Sequence, residues 1–588
     1  MNLLLAQKTK AEELSDDCDF LQKWTALYEH CAWGTVFQTP LFIKTWYEIY
    51  KEAFDLLFIY ELNESNALTG FFPLAIEKAT GKICAAGCYH AEYQTWLATE
   101  ENGGFFVEKA FDALRREFPD KKLELLFLSP TTPLGWIEKK NGWGGQTVLL
   151  THLHPSIEIG NGEKSEESLR KKGNKTRFRQ LKKLGEVRLE KLETPEELEK
   201  VFDEIEDYAK IRLSALHNIP PVHDPYRKPF HLALMNFPNL LHASLLKVGE
   251  QIASAKISLR NRNEMLLSIT SMSPFLARQS PSKLHILLLG KEFAAEKIPV
   301  FDLSPGGGYK ERFATQCEKV HSLTVFFSKA NFLRYKSKRK VIGLTKESLE
   351  RFNITKTKAF TFADKVRYKL RRVKYRTIPR TILKNTRRKL YEHRECRIYS
   401  FDARKAASLE NPNLMRRDSV SDLLQYAPNE GWQLTVSQFH QSCLERFGNA
   451  VHSYTRVEDN TLLHFGWLIE RQEISRVFEV EQEFQLPANS AVLFDYYTHP
   501  QARGRGLYHQ SLLQGLHDAA QIPETKQVFI GVLADNAPSR HVIEKVGFIY
   551  RGSLFKETNF GKVRKWQVWN DGFQEMTHEM SLKESFSS

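Results

Sequence analysis

The chain has 588 residues, of which 42% are hydrophobic and 26% are charged, and its net charge is +13. This length exceeds what one hydrophobic core can organise and predicts three or four domains of globular composition. No apolar run reaches the ~20 residues of a membrane-spanning helix, and the seven cysteines form no metal-type pair. We therefore expect a cytoplasmic protein that needs no metal.

The first part of the chain mixes strand and helix patterns. Two apolar stretches at 55–62 and 68–78 flank a polar turn and predict paired strands, and 123–129 predicts a further strand. Residues 105–118 have helical spacing of apolar side chains. These patterns predict an α/β or α+β lobe over residues 1–152.

A second unit follows in a different order. It begins with a basic helix at 165–185 and a longer amphipathic helix at 195–213. Residues 241–272 predict three strands joined by two turns, and 280–298 predicts a helix. The unit closes with a strand that runs into a glycine turn, "VFDLSPGGGYKERF", at 300–313.

This order, with its basic helix and its terminal glycine turn, resembles the CelD/BcsL-type acetyltransferase domain of proteins linked to bacterial cellulose and exopolysaccharide synthesis. That domain is related to the Fem-type peptidyltransferases, which carry two GNAT-like lobes in tandem. The resemblance implies a second lobe over 153–330, in which Tyr309, Lys310 and Arg312 bind an anionic substrate. A plain glycine turn is the alternative, and the Gly-Lys-Ser/Thr ending of a nucleotide P-loop is missing.

The positive charge is concentrated in one segment. Residues 333–397 carry 18 more basic than acidic side chains, whereas the whole chain carries 13 more, so the remainder is net acidic. We predict a basic helical linker over 331–397, and two interpretations stay open: a solvated linker, or a surface that docks on an anionic membrane. Few aromatic residues are interleaved, so no specific nucleic acid is expected.

The C-terminal part places a strand, an Arg/Gly turn and a helix in direct succession. The strand ends at Pro500, and Gln-Ala-Arg-Gly-Arg-Gly follows it. A second strand then leads to a short helix, which Asp535 or Asn536 can cap and Gly547 can end. Glycines let the backbone approach an anion, and the unpaired N–H groups of a helix start attract it, so the turn predicts a phosphate site.

This succession resembles the GNAT acyltransferase superfamily. The pyrophosphate loop of that family, Arg/Gln-x-x-Gly-x-Gly/Ala, is matched from Arg503, and Tyr508 is a departure at its last position. A register that begins at Gln501 is the alternative. An Asn followed by a helix ending in Lys-x-Gly-Phe is matched from Asn536. The resemblance implies a GNAT domain over 398–575 and a tail over 576–588.

The GNAT resemblance also implies site residues and an acetyl-CoA or other acyl-CoA co-substrate. Ile543 replaces the family's usual tyrosine acid, which leaves Tyr508, with Tyr550 as an alternative. For the base that deprotonates the acceptor, Asp495 is our first choice, and Glu479 and Glu481 are alternatives. The implied acyl-CoA ligands are Tyr497, Thr498, Arg503, Gly504, Arg505, Gly506, Leu507, Asn536 and Ser539.

Two classes of function follow from these patterns. The first is an acyl-CoA-dependent acyltransferase, chiefly an N-acetyltransferase, acting on an amine or hydroxyl of a cell-envelope or exopolysaccharide-related acceptor. The second is a non-catalytic ligand-sensing or scaffold protein that docks on the inner face of a membrane through its basic segment, and a Fem-like aminoacyl-tRNA-dependent transferase is a third reading. The expected fold class is α/β (α+β), with tandem GNAT-like mixed sheets flanked by helices: two lobes in the N-terminal half and one C-terminal domain.

Overall fold

The structure is a computed structural model, and it describes residues 2–138, 142–306, 308, 310–339, 391–406, 408–571 and 573. Most of the predicted basic linker, the whole predicted tail and Tyr309 lie outside the described residues. Contacts within the chain divide it into two compact units. The first unit contains Met1–Glu206 and His223–Thr355, and the second contains Asp207–Val222 and Lys356–Ser588.

The first unit is built on one 13-stranded mixed sheet. Its strands are β1 (Asn2–Gln7), β2 (Phe54–Leu62), β3 (Leu68–Glu77), β4 (Ile83–Ala85), β5 (Leu97–Ala98), β6 (Lys122–Leu125), β7 (Thr147–Glu158), β8 (Val187–Leu192), β9 (Leu241–Val248), β10 (Gln251–Asn261), β11 (Glu264–Met272), β12 (Val300–Asp302) and β13 (Gln316–Phe326). They lie in the order β1-β2-β3-β4-β6-β13-β7-β12-β11-β10-β9-β8, and β5 pairs with β3.

Helices pack on this sheet. They are α1 (Thr9–Asp16), α2 (Cys18–His30), α3 (Pro40–Tyr50), α4 (Gly103–Glu117), α5 (Glu163–Arg170), α6 (Lys172–Lys182), α7 (Pro195–His217), α8 (Arg227–Met235) and α9 (Pro281–Ala295). Of α7, the part up to Glu206 belongs to this unit. Local signals start several of them: Asp17 caps α2 through the Asp19 N–H, and Thr39 caps α3, whose first residue is proline. Their apolar faces cover a core rich in aromatic rings, including Trp24, Trp46 and Trp96.

Two parallel strand pairs mark two halves of this sheet. In the first half β4 pairs in parallel with β6, and α4 lies between them in the chain. In the second half β11 pairs in parallel with β12 at Glu264–Leu266, and α9 connects them. The long antiparallel pairing of β13 with β7 makes the sheet continuous across both halves. Two similar β-α-β crossovers in one sheet agree with the predicted mixed α/β class.

The sequence patterns locate most elements of the second half. The predicted three-strand meander is confirmed as β9, β10 and β11, and its first turn uses Gly249 with a φ of 58°. The single basic helix predicted at 165–185 is wrong in one respect, since the segment forms two helices, α5 and α6. Lys171 separates them because its backbone is extended, with φ −60° and ψ 137°.

The second unit has an eight-stranded mixed sheet and a separate hairpin. Its strands are β14 (Tyr391–Asp402), β15 (Arg416–Arg417), β16 (Val451–Glu458), β17 (Thr461–Ile469), β18 (Ile474–Val477), β19 (Gln482–Gln485), β20 (Ser490–Thr498), β21 (Gln527–Leu533), β22 (Ile549–Asn559) and β23 (Lys562–Trp569). The sheet order is β15-β16-β17-β20-β21-β14-β22-β23, and β18 pairs with β19. Its helices are α10 (Ala403–Ala406), α11 (Val420–Leu424), α12 (Val436–Gly448), α13 (Leu507–Ala520) and α14 (Ala537–Val546).

Neighbouring side chains along β20 and β21 belong alternately to two apolar clusters. Leu493 and Ile530 join the cluster that contains α13 and α14, whereas their neighbours Val492 and Phe529 join the cluster that contains the β18–β19 hairpin. The predicted order of β20, α13, β21 and α14 is confirmed. None of the described helices combines the length and the apolar composition that a membrane span requires.

Candidate functional site

The two central parallel strands of the second unit separate before they end. β20 and β21 pair only from Ser490 to Leu493 on one side and from Gln527 to Ile530 on the other. Beyond that point β20 pairs only with β17, and β21 only with β14. The facing strand edges therefore form a wedge-shaped gap, where backbone N–H and C=O groups are available to a ligand.

A cavity of about 500 Å³ lies at this gap. Both strands line it, through Phe494 and Asp495 of β20 and Gly531 and Val532 of β21. The other walls come from β14, α12 and the β18–β19 hairpin. A volume of this size, mainly apolar with a few charged groups, is typical of a small-molecule site.

Asp495, the predicted base, lies in a β-bulge at the cavity. The register of β17 and β20 shifts there, so that Asp495 and Tyr496 together oppose Gly466. The backbone of Asp495 is left-handed, with a φ of 52°. Asp495 is one of the residues that line the cavity.

The Asp495 carboxylate has a fixed cationic partner. Nη2 of Arg446, on α12, lies 2.5 Å from Oδ2 of Asp495. The guanidinium is itself held over the rings of Trp467, at 4.6 Å, and Phe494, at 5.1 Å. Arg446 therefore orients the Asp495 carboxylate, while half of the Asp495 side chain remains exposed.

The Arg/Gly turn leads directly into α13. Gly504 and Gly506 are both left-handed, with φ values of 83° and 77°. The first bond of α13 runs from the Gln510 N–H to the Gly506 carbonyl, so the preceding N–H groups of the helix have no helical acceptor. A Cβ atom added to either glycine would meet no atom within 4 Å, which leaves an open cradle in front of these donors.

Both arginines of the turn are held by carboxylates. Arg503 contacts Glu430 at 3.0 Å, and Arg505 contacts both oxygens of Glu458 at 2.9 Å. Arg505 also holds the pKa of the Glu458 carboxyl below its usual range. Exposed pairs of this kind contribute little to stability, so a phosphate with a higher charge can replace the carboxylates.

The predicted ligands on the two helices contact one another. Asn536 caps α14 by accepting the Ser539 N–H at 3.3 Å. The Ser539 hydroxyl donates to the Tyr508 hydroxyl at 3.1 Å, which joins the starts of α13 and α14. Burial raises the pKa of Tyr508 to about 12, so this tyrosine keeps its proton at neutral pH.

Other predicted residues fall on either side of this turn. Leu507 is buried as the first residue of α13. The Tyr497 hydroxyl donates to Asn429 at 2.8 Å, and the Thr498 hydroxyl lies 2.9 Å from Nδ1 of His464. Both residues belong to the part of β20 that lies beyond its pairing with β21.

The alternative acid and base residues lie in different surroundings in the structure. Glu479 lines the cavity, whereas Glu481 pairs with Lys556 and Lys565 on β22 and β23. Ile543 is fully buried in the apolar cluster under α13. The side chain that replaces the family's tyrosine therefore contributes packing.

A buried polar layer under α13 has no signal in the sequence. The His464, Tyr496 and Tyr508 rings follow one another there, with centroids 6.0 Å and 5.1 Å apart. Burial lowers the pKa of His464 to about 3, so its ring is neutral. Among the described residues, Nε2 of His464 and the hydroxyls of Tyr496 and Ser511 have no hydrogen-bond partner. These polar atoms point to unfilled hydrogen-bonding capacity beneath the turn.

The predicted substrate residues of the first unit lie in different surroundings. Lys310 and Arg312 are the first and last residues of one short 3-10 turn. Nζ of Lys310 is directed inward and donates to the Ser304 carbonyl at 3.3 Å, whereas Arg312 is exposed. Of these two described residues, Lys310 is the one that contacts the interior of the unit.

Two segments of the chain match known domain families. Residues 168–313 and residues 405–549 each match a model of an acetyltransferase (GNAT) domain. Two stretches of the chain are therefore similar to GNAT acetyltransferase domains. The first match lies on the second half of the 13-stranded sheet, and the second covers β20, the Arg/Gly turn and α14.

Some solved structures are similar to this chain at low identity and low TM-score. FemX is 11% identical with a TM-score of 0.36, and the alignment covers 51% of this chain and 95% of that one. L-PGS from Bacillus licheniformis is 7% identical with a TM-score of 0.34, over 55% of this chain and 96% of that one. No curated protein matches the sequence at a significant level.

Proposed function

We propose that the second unit is an acyl-CoA-dependent acyltransferase and that its acyl donor binds across the gap between β20 and β21. The observation that carries this proposal is the geometry of one crossover. A strand with a free edge leads through a left-handed glycine turn into helix N–H donors, beside a cavity of about 500 Å³. A long donor with a pyrophosphate at one end and an acyl thioester at the other fits this arrangement of strand edge, helix N–H donors and cavity.

The proposed ligands divide along the donor. Arg503, Gly504, Arg505, Gly506 and Leu507 hold the pyrophosphate, and Asn536 and Ser539 fix the helix start beside it. The free edge of β20, with Tyr497 and Thr498, pairs with the amide-bearing arm of the donor. The open cradle in front of Gly506 supports this fit, because only glycine keeps that space empty.

The acceptor is proposed to enter at Asp495. A free alkylamine has a pKa near ~10, so it must lose a proton before it attacks a carbonyl. Asp495 accepts that proton, and Tyr508, whose raised pKa keeps it protonated, donates to the leaving thiolate. We propose an amine or hydroxyl of a cell-envelope or exopolysaccharide precursor as acceptor, on the resemblance of the N-terminal half.

The same reasoning gives proposed domain boundaries. Residues 1–152, 153–330 and 398–575 each contain one parallel strand pair bridged by a helix.

A non-catalytic ligand-sensing role is the second proposal, and the buried Ile543 at the usual acid position favours it. Release of free thiol from acetyl-CoA in the presence of amino sugars separates the two, because a sensor binds the donor without consuming it.

Asp495→Asn is expected to lower the rate of thiol release by about 10²-fold, because general-base catalysis contributes ~10²–10⁴. The amide keeps the shape and the contact with Arg446, so CoA affinity should stay unchanged in calorimetry. Glu479→Gln is the matched control, since it removes the other cavity carboxylate. If Glu479→Gln is slow and Asp495→Asn is not, the base is Glu479.

Glu458→Gln is expected to strengthen CoA binding about two- to fivefold, because it frees Arg505 from a competing carboxylate. Glu483→Gln is the control, since Glu483 pairs with Arg476 at 3.0 Å on the β18–β19 hairpin. Equal CoA affinities in both variants would show that Arg505 does not contact the donor.

A further inference from the structure

A cluster of one histidine and two glutamates lies at the C-terminal end of α9, in the first unit. Nε2 of His242, on β9, lies 3.4 Å from Oε1 of Glu292, on α9. Glu296 is the C-cap residue of the same helix, one turn further along. One ring nitrogen of His242 and one carboxylate oxygen of each glutamate lie within 4.8 Å of one another.

These separations are close to those between ligands of a single metal ion. Zinc ligands lie about 2.0–2.2 Å from the ion, so two of them are at most about 4.4 Å apart. The side chain of Glu296 is exposed and can rotate, whereas His242 and Glu292 are held between the helix and the sheet. A small rotation of Glu296 therefore brings all three donor atoms onto one ion.

The buried members of the cluster have unused coordinating atoms. The His242 side chain is only 6% exposed, and its ring packs against Phe293 with centroids 5.1 Å apart. Among the described residues, Nδ1 of His242 and Oε2 of Glu292 are buried without a hydrogen-bond partner. Since the contact of Nε2 with Glu292 is long, neither ring nitrogen makes a short hydrogen bond. Buried polar atoms in this state favour a ligand that satisfies them.

The charges of the cluster favour a cation. The contact with His242 holds the pKa of Glu292 below its usual range, so its carboxylate is ionised at neutral pH. Like charges one helical turn apart repel each other, and the negative end of the helix dipole adds to that repulsion. Lys191, on β8, lies 3.4 Å from Glu296 but also 4.0 Å from Glu193. Its single charge is therefore shared, and the cluster remains net negative.

We propose that His242, Glu292 and Glu296 bind a divalent transition-metal ion, for which Zn²⁺ is the best match, and that the ion fastens α9 to β9. One imidazole nitrogen with two carboxylate oxygens suits Zn²⁺, whereas Mg²⁺ and Ca²⁺ prefer oxygen ligands alone. The exposed side of the cluster, at Glu296, leaves the remaining coordination position to water. The site does not depend on the proposed function of the second unit.

No pattern in the sequence marks this site. The cysteine spacing predicts no metal, and β10 and β11 separate His242 from α9 in the chain. The antiparallel pairing of β9 with β10 and the return of the chain through α9 bring the ligands together. Only the two glutamates, four residues apart on one helix, are near neighbours in the sequence.

The test uses the full-length chain, dialysed against a chelator, and calorimetry with ZnCl₂ and with MgCl₂. We expect a zinc site that Mg²⁺ does not fill. Glu296→Gln should weaken zinc binding about tenfold or more, since losing even a residue that only orients a ligand costs ~10–100-fold in affinity. Glu250→Gln is the matched control, because Glu250 is also exposed and paired with one cation, Arg188, at 3.3 Å.

Lys191→Gln separates a metal site from a plain salt-bridge cluster. Lys191 competes with the ion for Glu296, so its removal should strengthen zinc binding about two- to fivefold. The described exposed thiols, Cys18 and Cys317, are the same in every variant and contribute an equal background. Absence of zinc binding, or equal zinc affinities in Glu296→Gln, Lys191→Gln and the wild type, would overturn the proposal.

A thermal melt tests the buried ligand. Saturating zinc should raise the melting temperature of the wild type, because the ion binds the folded state. His242→Gln lowers stability by itself, since the ring is buried, and the readout is therefore the difference between melts with and without zinc. That difference should vanish in His242→Gln and persist in Glu250→Gln. A zinc-induced rise that survives in His242→Gln would place the ion elsewhere and overturn the assignment.

Discussion

Gly506→Val is expected to lower the affinity for CoA at least tenfold, about 1.4 kcal/mol, and to leave the second unit folded. The left-handed backbone of Gly506, with a φ of 77°, disfavours a β-branched residue. The added Cβ atom meets no protein atom within 4 Å, so the side chain enters the cradle in front of the α13 donors, where we place the pyrophosphate. Calorimetry with CoA measures the loss, and a thermal melt checks the fold.

Gly561→Val is the matched control for that result. Gly561 has a φ of 82° and the same open surroundings, but it lies in the turn between β22 and β23. Both variants carry the same kind of backbone strain, so their melting temperatures should fall by similar amounts. If Gly506→Val binds CoA as tightly as Gly561→Val does, the Arg/Gly turn is not the pyrophosphate site.

Gly466→Ala is expected to destabilise the second unit by about 2–3 kcal/mol. A Cβ atom there would lie 2.2 Å from Cε1 of Tyr496. Tyr496 is one of the two bulge residues that oppose Gly466. The ring cannot retreat freely, because it packs between His464 and Tyr508. Chemical denaturation followed by tryptophan fluorescence measures the change.

Gly448→Ala provides the comparison for this destabilisation. Gly448 ends α12, its surroundings within 4 Å are empty, and alanine is the better helix former. We expect its unfolding free energy to stay within about 0.5 kcal/mol of the wild type. Equal stabilities of the two variants would mean that Tyr496 does not pack against the β17 backbone as described.

Local signals explain why so much of the second unit could be predicted. The Asn536 cap, the left-handed Gly547 at the end of α14 and the glycines before α13 each act over a few residues. A short stretch of sequence is therefore enough to predict the backbone conformation at these positions. β14 is different, since it inserts between β21 and β22, strands that follow it by more than a hundred residues. No periodicity encodes that choice of neighbours.

The sequence by itself determined the crossover of β20, α13, β21 and α14, the glycine turn and the arginines that belong to it. Only the tertiary structure decided what those groups contact. It placed Glu430 on Arg503, Glu458 on Arg505 and Arg446 on Asp495. Backbone conformation depends on near neighbours in the chain, whereas the pairing and the hydration of charges depend on distances that exist only after strands distant in sequence have paired.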